Sequence, residues 1–371
     1  MTFKYIDNST QIDELIERKQ SFALYQSPKE NRVHFLTQKT GNAQLLYSVE
    51  ELNGIQGFII APFQVSQKYP IVVMQPDYEE VSEKIALTDQ DLTNQQEIPL
   101  GMCNASRDTQ EVQLEGYSRK FALFSDVLHK KEFDKLVLSR SYKLKRNPSF
   151  SPAMAFYKAC RRYAHSYVYL CYTPETGVWL GSTPEIILSG EQGQWTTTAL
   201  AGTQSLQQNE LPINWDNKNK EEQMLVAAYI RQQLLSKDIH PTEKGPYAIR
   251  AGELAHLKTD FHFTLSETKE LGSMLNLLHP TPAVCGLPKE KAYRFIKAHE
   301  GYERQYYSGF IGLLSPKGKT ELYVNLRCMN INKETLTLYA GGGLLASSSM
   351  EEEWNETEKK LQTMLVITDN K

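Results

Sequence analysis

The stretch SYVYLCYTPETGVWLGS, residues 166–182, holds two strand-like runs joined by a turn of a few residues. A second pair, ELYVNLRCMNI with TLTLYAG, closes across NKET near residues 332–334. A turn this short joins antiparallel neighbours only, because a parallel return needs a crossover of roughly a dozen residues. Hairpins of this kind predominate, so the sheets are expected to be largely antiparallel. Helical patterns cover residues 117–130 and 151–163 and a closing segment from about 350 to 365, and KLVLSR at 135–140 reads as a strand.

Residues 1–110 mix a short amphipathic segment (Ile12, Leu15, Ile16) with the strand-like pieces SFALYQ, RVHFL and GFIIAPF. Asp77 to Glu97 is acidic and amide-rich, which suits a surface connection. A soft boundary is placed near residue 110, with 1–110 expected to integrate into the same fold as 111–371. At 371 residues the chain bounds the answer to one large domain or two.

The 41 basic and 44 acidic residues leave a net charge of −3, so no basic field exists to hold nucleic acid or an anionic membrane. Five well-separated cysteines without a C-x-x-C pair suggest neither a disulfide framework nor a zinc site, and a reducing cytoplasm fits. The amino terminus lacks a cationic segment leading into an apolar one, and no apolar run approaches about 18 residues. The chain reads as soluble and untargeted.

In SMEEEWNETEKKLQTML, Ser349 and Glu352 make a capping box that starts a helix. Trp354, Leu361 and Met364 or Leu365 define a buried stripe, while Glu353, Glu356 and Lys360 share a second face. That turn also fits a solvated helix start favoured by the dipole. The preceding hairpin, closed at 332–334, sets Asn325 and Arg327 opposite Gly341 and Tyr339, and a guanidinium beside a glycine loop is an anion receptor. Glu353 and Glu356 would repel that anion unless a divalent cation lay between. Glu222, at i−4 and i−8 from Val226 and Ile230, lies on an apolar helical line and is either a further ligand or a solvated edge charge.

Lys135 alternates with Val137 and Ser139 on one face of its strand. Buried beside a cation, the neutral amine would be favoured and could act as a base; exposed, it is an edge charge. Glu185 opens the apolar run Ile186, Ile187, Leu188, where a carboxyl is costly unless paired, protonated or functional. His256 and His279 are single histidines without metal spacing.

Eight segments in order, KLVLSR, GSTPE, ALAGT, KEEQMLV, LLHPTPAVCGLP, RQYYSGFIG, VNLRC and YAGGGLLASSSMEEEWNETEKKL, cover about residues 130–365. Together they resemble the chorismate-utilising enzyme family, and within it the isochorismate synthases. The resemblance implies an α+β fold of large stacked antiparallel sheets with helices outside, in which residues 111–371 form the chorismate-binding catalytic region. It also implies Mg²⁺ dependence, chorismate as substrate and a monomer. Carried over by motif, Lys135 activates the water that attacks C2 and Glu185 protonates the departing C4 hydroxyl. Glu222 and Glu356 bind Mg²⁺ directly or through water, with Glu353 nearby. Gly202, Thr203, His256, Tyr307, Arg327, Gly341 and Lys360 match positions that contact substrate or orient these groups. Gln223, Met350 and Gly342 depart from the usual histidine, proline and alanine, which bears on loop conformation and substrate affinity. Salicylate synthases keep the lysine and are the nearest rival, although the PTPAVCG form favours isochorismate synthases. A non-catalytic chorismate- or metal-binding protein is the alternative of a different class. The product would serve menaquinone or siderophore synthesis, with menaquinone favoured.

Overall fold

The computed structural model describes residues 8–82, 107–207, 210–265 and 268–368. Among these, two sheets of nine strands each form, and all their pairings are antiparallel. The first sheet centres on the hairpin Tyr167–Thr173 with Gly177–Thr183. Beyond it lie Cys328–Ile331, Thr335–Leu344, Lys135–Lys145 and Gly286–Leu287 on one side, and Ser21–Gln26, Val33–Gln38 and Tyr78–Ser82 on the other. The second sheet runs from Thr242–Ala251 through Leu254–Thr264, Gln194–Ser205, Ile186–Glu191, Thr320–Val324, Phe310–Leu314 and Gly57–Ala61 to Ile71–Met74 and Gln44–Leu46.

The sheets stack face to face. Tyr25, Tyr167, Tyr169 and Trp179 of the first pack into one cluster with Phe58, Ile60, Ile311 and Tyr323 of the second. The Tyr167 and Tyr323 rings stack with centroids 4.3 Å apart. Alternation leaves each sheet a second apolar face, and helices cover both. Ser9–Glu17, Pro152–Arg162 and the end of Met350–Leu365 cover the first; Asn217–Leu235 and Leu271–Leu278 cover the second. The fold is α+β, as the resemblance implied.

Strands from residues 21–82 enter both sheets, and residue 110 falls within the Arg107–His129 helix. The surface connection expected from Asp77 starts instead as the strand Tyr78–Ser82 on Val33–Gln38; residues 83–97 lie outside the described residues. ELYVNLRCMNI is not one strand. Thr320–Val324 belongs to the second sheet and Cys328–Ile331 to the first, so the chain crosses between layers at 325–327. Arg327 takes a left-handed φ of 44° there, which ends the regular alternation. The hairpin register is consequently Met329 opposite Leu338, and the strand facing Gly341 is the one carrying Ser139. The three glycines therefore form part of a ladder rather than a loop.

Candidate active site

Between the sheets lies a cavity of about 630 Å³, its open mouth included. Glu185, Gly202, Thr203, Glu222 and His256 line it from the second sheet and the helix packed on it. Tyr307, Arg327, Gly341 and Lys360 complete the wall. Lys135, Glu353 and Glu356 stand just behind, across Gly342 and Gly343.

Why glycine stands there follows from distance. A Cβ at Gly342 would lie 2.7 Å from Glu353 Oε2 and 3.6 Å from Glu356 Oε1. One at Gly343 would collide with Glu222 Oε1 and stand 2.8 Å from Lys135 Cε. The glycines make room for the carboxylates, in place of the anion nest expected of a loop. A Cβ at Gly341 would likewise meet the Tyr307 hydroxyl at 2.9 Å. Gly202 has a φ of 74° at a bulge between Ala201 and Thr203, which a side chain tolerates poorly.

Each carboxylate faces a lysine. Lys135 is fully buried, with Nζ 3.0 Å from Glu222 Oε1 but outside hydrogen-bond alignment. The charge beside Lys135 in this structure is thus a carboxylate. Burial works against ionisation of Glu222, but the charges of Lys135, Lys218 and Lys360 together outweigh it and hold the group below the ordinary carboxylate range. Lys218 pairs with Glu353 Oε1, which also accepts from Ser348 Oγ at 2.7 Å. Burial first, and then Glu356, push Glu353 up to about 7. Lys360 donates to Glu356 Oε1 at 2.6 Å and to the Gly341 carbonyl at 2.9 Å.

Glu185 stands apart from these pairs. It is 2 % exposed and accepts from Thr281 Oγ1 at 3.2 Å. Burial pushes it up to about 8 against the lowering effects of Thr281, Lys135 and Lys360, so it is mostly protonated at neutrality. His256 Nδ1 lies 3.0 Å from the Gly202 carbonyl. A carbonyl can only accept, so Nδ1 carries the hydrogen and Nε2 receives Arg327 Nη2. Burial, then Arg327, hold His256 well below its ordinary value and therefore neutral. Arg327 is lowered by burial to about 10 and stays cationic. His279 is buried as well, and its Nε2 finds no partner among the described residues.

The donor chemistry of Glu222, Glu353 and Glu356 suits magnesium: all oxygen, with Glu353 Oε2 buried and unpartnered. Among the described residues no three acidic, histidine or cysteine side chains enclose an ion by themselves. Mg²⁺ needs no such cage, since it keeps water and binds through one or two carboxylates plus substrate oxygens.

Several contributors were not singled out from sequence. Lys218 lies one helical turn before Glu222, a spacing that could have shown it. Asn219 Oδ1 accepts from the Thr203 amide at 2.7 Å. Glu300 and Arg304 look like a surface i, i+4 pair in HEGYERQ, yet both are buried. Arg304 donates to Glu300, to the Val284 carbonyl at 2.7 Å and to the Val137 carbonyl at 3.2 Å. Glu300 Oε1 accepts from the Ser139 amide at 2.8 Å.

Stacked antiparallel sheets around a cavity of paired carboxylates and cations, one carboxyl held protonated, define an enzyme-like site for a small anionic molecule. The sequence pattern of the chorismate binding enzymes matches residues 67–368, and the chain belongs to that family. Isochorismate synthase EntC of Escherichia coli is 28% identical over 245 residues, 64% of this chain and 62% of that protein. Isochorismate synthase MenF of the same species is 30% identical over 260 residues, 67% of this chain and 60% of its own length. The matched part thus spans about three fifths of either relative. The solved structure of MenF, the menaquinone-specific isochorismate synthase of Escherichia coli, superposes with a TM-score of 0.75 at 22% identity, covering 100% of this chain and 92% of that one. Among the described residues no helix is long and apolar enough to cross a membrane.

Proposed function

We propose that the chain is an isochorismate synthase, converting chorismate to isochorismate by adding water at C2 and expelling the C4 hydroxyl. The observation that carries this is Glu185: a buried carboxyl, protonated up to about pH 8, on the wall of a cavity that the cations Arg327 and Lys360 also line. A hydroxyl leaves readily only if it departs as water, and a protonated carboxyl is the group able to supply that proton. Lys135, whose Nζ stands 3.0 Å from Glu222 Oε1, would take a proton from the attacking water. One water enters and one leaves, so the product is an isomer. Proton return from Lys135 to Glu185 resets the pair.

Arg327 and Lys360 suit a substrate with two carboxylates, and neutral His256 holds the guanidinium without competing for the anion. Tyr307, Gly341, Gly202 and Thr203 shape the walls. Magnesium held by Glu222, Glu353 and Glu356 would supply the positive charge that anchors the ring carboxylate. The MenF relative supports a place in menaquinone synthesis. A cytoplasmic location accords with the four described cysteines, all free.

Incubation with chorismate and Mg²⁺, followed by product identification, tests the reading. Isochorismate alone is expected. Salicylate with pyruvate would make the chain a salicylate synthase, and binding without turnover would make it a non-catalytic receptor.

A further inference from the structure

We infer that Thr281 is a positioning residue that decides which oxygen of Glu185 carries the transferable proton. The inference rests on the reading of Glu185 as the acid. Thr281 lies in the segment between the Leu271–Leu278 helix and Gly286–Leu287, fixed by its carbonyl accepting from the Val284 and Cys285 amides, each at 3.0 Å. Its side chain is 2 % exposed, and Oγ1 lies 3.2 Å from Glu185 Oε1. The Glu185 backbone is pinned independently, because its carbonyl accepts from the Val324 amide at 2.8 Å.

A protonated carboxyl has one oxygen that donates and one that only accepts. The Thr281 hydroxyl has no other acceptor among the described residues. Its hydrogen is satisfied only by donation to Oε1, since a buried hydroxyl left unpaired is costly. Oε1 is then the accepting oxygen, and the acid hydrogen resides on Oε2. Oε2 makes no hydrogen bond among the described residues, and Glu185 lines the cavity. In the reverse arrangement, with Oε1 donating to Thr281, the proton would be spent on the protein.

During the step the Oε2–H bond breaks, its electron pair stays on Glu185, and the proton leaves with the C4 hydroxyl as water. The Thr281 donor remains on Oε1 and now stabilises a carboxylate, so it makes Glu185 a stronger acid as well as an oriented one. The charged groups acting on Glu185 are Lys135 from the strand Lys135–Lys145 of the first sheet and Lys360 from the last helix; both favour the anion and both are retained in the variants below.

The test compares Thr281→Val, Thr281→Ser and Glu185→Gln in the full chain. Difference infrared spectroscopy titrates the protonated Glu185 carbonyl band, assigned by its loss in Glu185→Gln, without any need for turnover. For Thr281→Val we expect the band at higher frequency, its midpoint about one pH unit more alkaline, and kcat down roughly 10- to 100-fold with KM changed less than about threefold. Thr281→Ser should restore all three. An unmoved band and midpoint in Thr281→Val, or a loss that serine does not rescue, would overturn the inference. If Thr281→Val does not fold, Thr281→Cys, a weak donor of similar size, serves the same comparison. Should the wild type form no isochorismate, the proposed function fails while the infrared titration still decides the Thr281 contact.

Discussion

A single carboxyl group carries most of the chemistry proposed for this chain. Glu185 costs free energy to keep buried, and the cost depends on pH. Its folded value of about 8 lies above the ordinary 4.5, so its stabilising contribution is complete below pH 4.5 and is lost as the pH rises through about 8. Glu185→Gln should remove that slope, gaining on the wild type by on the order of 4 kcal/mol between pH 4 and pH 8 in urea melts. Parallel stability curves for the two proteins would contradict this. The same substitution should abolish turnover, and the wild-type rate should fall above about pH 8 as the proton donor ionises. Gly343 offers a steric counterpart. Gly343→Ala forces Glu222 away from Lys135, so turnover should fall at least tenfold with the fold intact by circular dichroism.

At the scale of elements, the strand Lys135–Lys145 and the segment 281–285 meet through Arg304. It holds the Val137 and Val284 carbonyls at once, while its partner Glu300 takes the Ser139 amide and hydroxyl. Removing one member of a buried pair leaves the other charged and unsatisfied, which typically costs about 3–5 kcal/mol. Arg304→Met should therefore lose that much in denaturant unfolding, and Glu300→Gln added to it should recover a substantial part. Additive losses would show that the two residues do not act as a unit. This pair also shows where sequence reading stops. An i, i+4 glutamate and arginine look alike at the surface and in a core, because burial is set by what packs on them from elsewhere. The helix start at Ser349 was legible, since the hydroxyl accepts from the Glu352 amide within one helical turn; of the expected capping box this N-cap half is the part that forms. The break at 325–327 was not, because both flanking runs alternate correctly and only their partners lie in different sheets.

Across the whole molecule, residues 21–82 supply strands to both sheets and aromatic surface to the layer between them. A chain starting at residue 107 would expose Tyr167, Tyr323 and Ile311 to water and leave two long sheet edges open. Such a truncation should be insoluble or lack a cooperative unfolding transition. A soluble, cooperatively unfolding product would instead make the two regions separate units.

From the sequence alone came whatever depends on near neighbours along the chain: antiparallel pairing from short turns, the acidic helix from its cap, and the residue types that a proton donor, an amine and an oxygen-rich cation site require. The order of eight motifs added the family. The tertiary structure decided which charge stands beside which. It set lysines against three carboxylates, left Glu185 protonated, and turned a run of glycines from a supposed loop into clearance within a strand. The reason is range: turn and cap geometry act over a few bonds, whereas burial and pairing depend on what packs in from elsewhere in the chain, as Lys218 does on Glu353 from 135 residues away.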